Sequence, residues 1–280
     1  MEYVRRADRA KAGDQPVAAA GPSGLNAGYL QAGNAAVSSL FVQRRVSVRD
    51  VGRGEQSGFA RLGELVERLN GVSTGLTFAV ADGTLTYTPI EGGTLSAFDQ
   101  QMVGFIDDGT VVPMRFTNRH GRLRDEDGRF TGHVEIDEWE NAYVDIDDLL
   151  AASDVSLQTS LVHLLRERQV TRGYDRRIGS PGLDGASAEF DRAHDAGLDA
   201  ELPIVRDFFG DPTIRFASKQ ERVYRNDRGD TLREVQQARH GANEGVEALD
   251  IRVTLHEPPH RVLTAEEYRD LLRAERAAAP

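Results

Sequence analysis

SLQTSLVHLLRERQVTRGY at residues 156–174, a Gly-rich connection, then AEFDRAHDAGLDAELPIVRDFF at 188–209 form the stretch that decides how this chain folds. In the first half Leu157, Leu161, Val162, Leu165 and Arg168 mark one apolar-leaning side of a helix, with Thr159, His163 and Glu167 beside it. In the second half Phe190, His194, Leu198 and Glu201 share a face. His163 and Glu167 are four residues apart, and His194 and Glu201 are seven apart, so each pair projects from one side of its helix. Gly197, between the latter two, leaves room for another group to come close. Two such helices can build a metal site of the kind that histidine and carboxylate make for zinc. The plainer reading is a core-edge histidine that pairs with Glu167 or a backbone carbonyl and cements the helix pair.

The totals narrow the function classes. At 280 residues the chain is long enough for a sizeable core. A hydrophobic share of 39% against 28% charged is that of a globular protein that folds in water. A net charge of −11, with arginines interspersed among acids, argues against nucleic acid as a partner, because neutralising phosphates needs a basic surface. With no cysteine, disulfides, thiolate metal sites and a cysteine nucleophile are excluded. No apolar run reaches the length of a membrane span. The opening MEYVRRADRAKAGDQP lacks the apolar centre of a Sec signal peptide, so export would need another route.

Working outward, residues 1 to about 24 are rich in Ala, Gly, Pro and charge and read as a disordered leader. Leu30, Val37, Leu40 and Phe41 predict a short amphipathic helix, which completes a leader region over 1–56. An α+β domain is expected over 57–280. Ser57 caps a helix carrying Phe59, Leu62, Leu65, Val66 and Leu69, which Asn70-Gly71 ends. LTFAV (76–80) and TLTYTP (84–89) read as strands about an Asp82-Gly83 turn. Ser96 caps a second helix whose inner face holds Phe98, Met102, Phe105 and Ile106. VVPMRFTN (111–118) is a strand whose Pro113 suggests an edge or a bulge. A charged excursion at 119–130 precedes strand-like segments at 132–139 and 142–150. DIDDLLAASD (145–154) carries four aspartates, but its spacing does not suit a calcium loop, and Asp154 serves better at a helix N-terminus. After Pro212 four period-2 segments predict a β-meander. Thr264, with Glu267 three residues on, opens a terminal amphipathic helix. His256 and His260 flank a double proline, as in a surface turn.

Two resemblances add expectations about function. LQAGNAAVSSLFVQRR, through Leu30, Gln31, Ala32, Gly33, Asn34, Ala36, Val37, Leu40, Gln43 and Arg44, resembles a signature near the start of proteins associated with bacterial extracellular contractile injection systems. It implies a cargo or toxin-like effector, present in the bacterial cytoplasm before loading and then carried out by the particle. The implied partners are that particle, through its baseplate or tube components, and a target protein. The segment from AYVDIDDLL to LVHLLRER, within 57–209, resembles the zincin-like metallopeptidase domains found among bacterial toxins, with 210–280 as a β-rich extension. That resemblance implies a divalent ion, Zn2+ first, held by His163, Glu167 and His194. The pattern departs at Leu164, which stands where such peptidases carry the glutamate that takes a proton from the attacking water. Glu201 remains as the candidate catalytic base. The alternative is a non-catalytic binding or structural protein.

Overall fold

The computed structural model describes residues 46–50, 59–117, 137–185, 187–239 and 246–279. The chain divides into two units, Met1–Phe41 and Val42–Pro280, and every described residue belongs to the second. The expected leader, the helix around Leu30, the Ser57 cap and the charged excursion at 119–130 lie outside the described residues. The folded part is α+β, with two sheets and seven helices among the described residues.

The first sheet reaches further back along the chain than Ser57, because Val46–Asp50 forms strand β1. Helix α1 (Phe59–Val72) follows and runs through Asn70 and Gly71 rather than stopping there. Strands β2 (Leu76–Ala81) and β3 (Thr84–Pro89) form the expected hairpin, with Asp82 and Gly83 at φ of 51° and 69°. Positive φ at both turn residues is what a tight two-residue hairpin needs. Helix α2 (Ala97–Asp107) starts at Ser96 in a full capping box with Asp99, and Phe98, Met102, Phe105 and Ile106 are all buried as expected. Strand β4 is Val112–Thr117, and β5 (Asp137–Glu138) leads by a single 3-10 turn into β6 (Tyr143–Asp145).

The sheet order is β2-β3-β1-β4-β6-β5, with β1, β4 and β6 parallel. Strand β4 is therefore interior, although Pro113 suggested an edge or a bulge. Proline is tolerated because β6 pairs only with Arg115–Thr117, so Pro113 has β1 as its sole neighbour. The segment at 142–150 divides where a strand was expected throughout. Asp145 accepts from the Asp147 and Asp148 N–H groups and so caps a short helix, α3 (Ile146–Ala151).

Helix α4 (Asp154–Val170), the short α5 (Tyr174–Arg177) and the long α6 (Ala188–Phe209) follow. The remaining strands, β7 (Arg215–Ser218), β8 (Val223–Arg225), β9 (Thr231–Arg239), β10 (Val246–Thr254) and β11 (Val262–Thr264), form the expected antiparallel meander in sequence order. Helix α7 (Ala265–Ala278) starts in the predicted Thr264–Glu267 capping box.

Two apolar cores explain why α4 and α6 lie at the centre. The larger joins Val46, Phe78, Met114, Phe116 and Val144 on one sheet face to α1, α2 and the Leu157, Leu161 and Leu165 side of α4. The smaller joins Val155 of α4 and Val205 and Phe209 of α6 to Tyr224, Leu232 and Ile251 of the meander and to Tyr268 of α7. Helix α4 is thus walled in on more than one side, and nearly every residue from Val155 to Arg168 is buried, polar ones included. This differs from the one-sided helix expected. Two of its buried polar side chains find partners at close range: Thr159 Oγ1 donates to the Val155 carbonyl and Gln158 Nε2 to that of Val72.

Candidate metal centre

The four residues singled out in the sequence are brought together, in an arrangement that helix periodicity alone did not give. His163 and Glu167 stand one turn apart on α4, and both are buried. Across from them, α6 presents His194, half-buried, and Glu201, fully buried. The Ser187 side chain caps the start of α6 by accepting from the Phe190 N–H, which fixes the turn that carries His194.

Three atoms converge on one point. His163 Nε2 lies 2.7 Å from Glu167 Oε1 and 3.1 Å from His194 Nδ1, and His194 Nδ1 lies 2.8 Å from the same Glu167 oxygen. Adjacent donors around a divalent ion bound at about 2.1 Å are ~3 Å apart in six-coordinate geometry and ~3.4 Å apart in tetrahedral geometry. The observed triangle fits one ion, near the tighter of the two. His163, Glu167 and His194 can therefore hold a metal ion, and they are the only group of its kind among the described residues.

The other imidazole nitrogen makes the chemistry sharper. His163 Nδ1 lies 2.5 Å from Glu201 Oε1. His163 is thus held between two carboxylates, one at each nitrogen, and a neutral imidazole has only one N–H to give. The site requires an additional positive charge at Nε2, which a second proton or a metal ion can supply. Burial alone would hold this histidine below its ordinary pKa, but hydrogen bonds to Glu167 and Glu201 lift it to about 9. Glu167 shows the reverse balance: burial would raise it, and His163 and His194 hold it well below the usual carboxylate range.

The sequence suggested Glu201 as the base, and the structure places its carboxylate against the His163 ring. It lies on the far side of the His163 ring from the triangle, with both oxygens engaged. Oε1 meets His163 Nδ1 and Arg222 Nη2, the latter at 3.5 Å, and Oε2 accepts from the Tyr224 hydroxyl at 2.8 Å. A carboxylate that fixes the tautomer and orientation of a ligating imidazole is a recurrent companion of metal sites. Burial would raise the Glu201 pKa, and Arg222, His163 and Tyr224 together lower it. Leu164, the residue after His163, is buried in the larger apolar core.

Several contributors were not legible in the sequence. Tyr224 and Arg222 come from the first hairpin of the meander, and Arg222 adopts φ 47° while also pairing with Glu234 at 2.5 Å. Phe190 stacks on His194 with centroids 5.6 Å apart, and Trp139 meets Phe190 edge-on at 5.2 Å. Phe190, which the sequence already placed on the His194 face, and Gly197 left a signal. A Cβ there would stand 2.9 Å from His163 Cε1 and Nδ1, so its absence lets the ring lie against α6. Comparison with protein-family models, curated proteins and solved structures gave no match.

Proposed function

We propose that this chain is a cargo- or effector-type protein of a bacterial contractile injection system, built on a zincin-like domain that holds a divalent ion but lacks the peptidase base. One observation carries the metal reading: lone-pair atoms of His163, Glu167 and His194 meet within 3.1 Å of one another. The ion, Zn2+ in the first instance, would neutralise Glu167 and tie α4 to α6. His2Glu donors also suit other divalent transition metals, so the choice of metal follows availability as well as affinity. Cleavage of generic peptides is not expected. Leu164 is apolar and packed in the core, and Glu201 is taken up in orienting His163.

Metal analysis of untagged protein tests the central point, with one equivalent of a divalent ion as the expected result. The second reading is an ion-free clip, in which a doubly protonated His163 bridges Glu167 and Glu201. The hydrogen bonds at both ring nitrogens favour it. Metal-free protein whose melting temperature is unmoved by chelator or by added zinc would establish the clip. The export context rests on the stretch at 30–45 and is tested separately. Replacing Leu30 and Asn34 in the full chain should abolish association with the particle, and undiminished loading would remove the assignment.

A further inference from the structure

One end of the meander carries a second cluster of polar groups, formed by residues that the metal centre does not use. Register places Arg225 of β8 opposite Thr231 of β9, and Thr231 opposite Thr254 of β10. Side chains directly opposite on adjacent strands share a face, so a guanidinium and two hydroxyls form one row. The loop from Leu255 to Arg261 lies beside this row, with the Leu255 N–H donating to the Arg261 carbonyl and the His260 N–H to that of Glu257. It brings in His256 and His260. The His256 N–H donates to Asp230 Oδ1 at 2.8 Å. Its ring lies against Gly229, where a Cβ would be 2.8 Å from Cγ, and Gly229 has φ +87°. Only glycine combines that backbone with that approach. His260 sits at φ 54°, a conformation that side chains other than glycine adopt at a cost.

We propose that the resulting cleft, of about 270 Å3, binds the phosphate group of a small phosphomonoester. Its lining contains an arginine, two threonines and two histidines, and no carboxylate. That is notable in a chain with 45 acidic residues against 34 basic ones. Elsewhere arginines such as Arg61, Arg177, Arg215, Arg222 and Arg228 are matched by acids. Arg225 has no acid partner among the described residues, and unlike Arg206 and Arg276 it is not given to a backbone carbonyl either. The nearby Asp230 does not compete, because its oxygens accept from the His256 N–H, the Tyr268 hydroxyl and Asn226. With the His260 Nδ1–H given to the Leu255 carbonyl, Arg225, Thr231, Thr254 and His256 remain as donors around one small space. They suit a tetrahedral anion with three terminal oxygens, and arginine adds the planar fork that such oxygens favour.

The test is titration of the full-length protein with O-phosphoserine and with inorganic phosphate, against sodium chloride at matched ionic strength and constant pH, read by histidine-resonance NMR. Saturable shifts of the His256 and His260 signals are expected with both phosphates and not with chloride. Arg225→Gln should weaken binding at least tenfold without changing the melting temperature in chloride, since Arg225 is exposed. Thr231→Val should weaken it as well. Shifts that do not saturate, shifts confined to His163 and His194, or undiminished binding by Arg225→Gln would each overturn the site. Binding of inorganic phosphate with exclusion of phosphoserine would overturn the monoester assignment.

Discussion

His163 is the residue on which the site turns, because its ring contacts a carboxylate at each nitrogen while lying almost fully out of water. Removing either carboxylate therefore has a defined consequence. Glu201→Gln keeps the shape but replaces a charged acceptor with an amide, which loosens the tautomer preference of His163 without deleting a ligand. Metal affinity should fall ~10- to 100-fold, the usual cost of losing such a supporting partner, as measured by competition with a chromogenic chelator. An unchanged affinity would mean that Glu201 serves packing alone. Leu164→Glu addresses the opposite idea, that one substitution would restore a peptidase. The new carboxylate would face the apolar core. The expected outcome is a loss of roughly 3 kcal/mol or more of stability in urea unfolding, with no gain of proteolysis. Chelator-sensitive cleavage by this variant would show that the Leu164 side reaches substrate.

The helices show at the next scale how local preference yields to packing. Gly197 lies inside α6, where alanine would be favoured by about 1 kcal/mol on helix propensity. The His163 ring occupies the space an alanine methyl would take. Gly197→Ala should therefore destabilise the fold, by ~1–3 kcal/mol, and weaken metal binding. A stabilised variant would contradict the close approach. Helix α2 depends on Asp99, which accepts from Ser73 Oγ, the Thr74 and Gly75 N–H groups and the Ser96 N–H, tying the end of α1 to the start of α2. Burial would raise its pKa, but these hydrogen bonds together lower it. A carboxyl group with a depressed folded-state pKa stabilises above its unfolded value and loses that contribution as pH falls through the folded value. Asp99→Asn should thus be less stable than the parent near neutrality, and the gap should narrow as pH drops below about 4. A gap independent of pH between 7 and 3 would assign the effect to shape rather than charge.

For the molecule as a whole, α4 and α6 belong to both apolar cores, so an ion held as proposed would stabilise the two together. Stripping it should lower the melting temperature by several degrees; occupancy at a hundredfold excess over Kd contributes about 2.7 kcal/mol. The only tryptophan, Trp139, reports on the site side through Phe190, whereas far-UV circular dichroism reports on all helices and strands. Both transitions should shift by the same amount on chelation. A fluorescence transition that moves alone would show that the site unfolds independently of the two sheets.

What the sequence determined by itself was whatever short-range geometry controls. Helical spacing placed His163 with Glu167, the Asp82-Gly83 pair set the hairpin, Ser96 and Thr264 set two helix starts, and period-2 segments gave the meander. What only the tertiary structure decided was which face meets which. The i, i+7 spacing of His194 and Glu201 suggested one shared centre, yet Glu201 serves His163, because the ring of His163 passes over Gly197 and separates them. Pro113 suggested an edge or a bulge and lies in an interior strand, since sheet order depends on crossovers that no local pattern encodes. Tyr224 of β8 and Arg222 of the β7–β8 turn reach Glu201 on α6 from the meander. Their roles come from layering the meander on α6, and periodicity along one helix carries no information about what a second core will press against it.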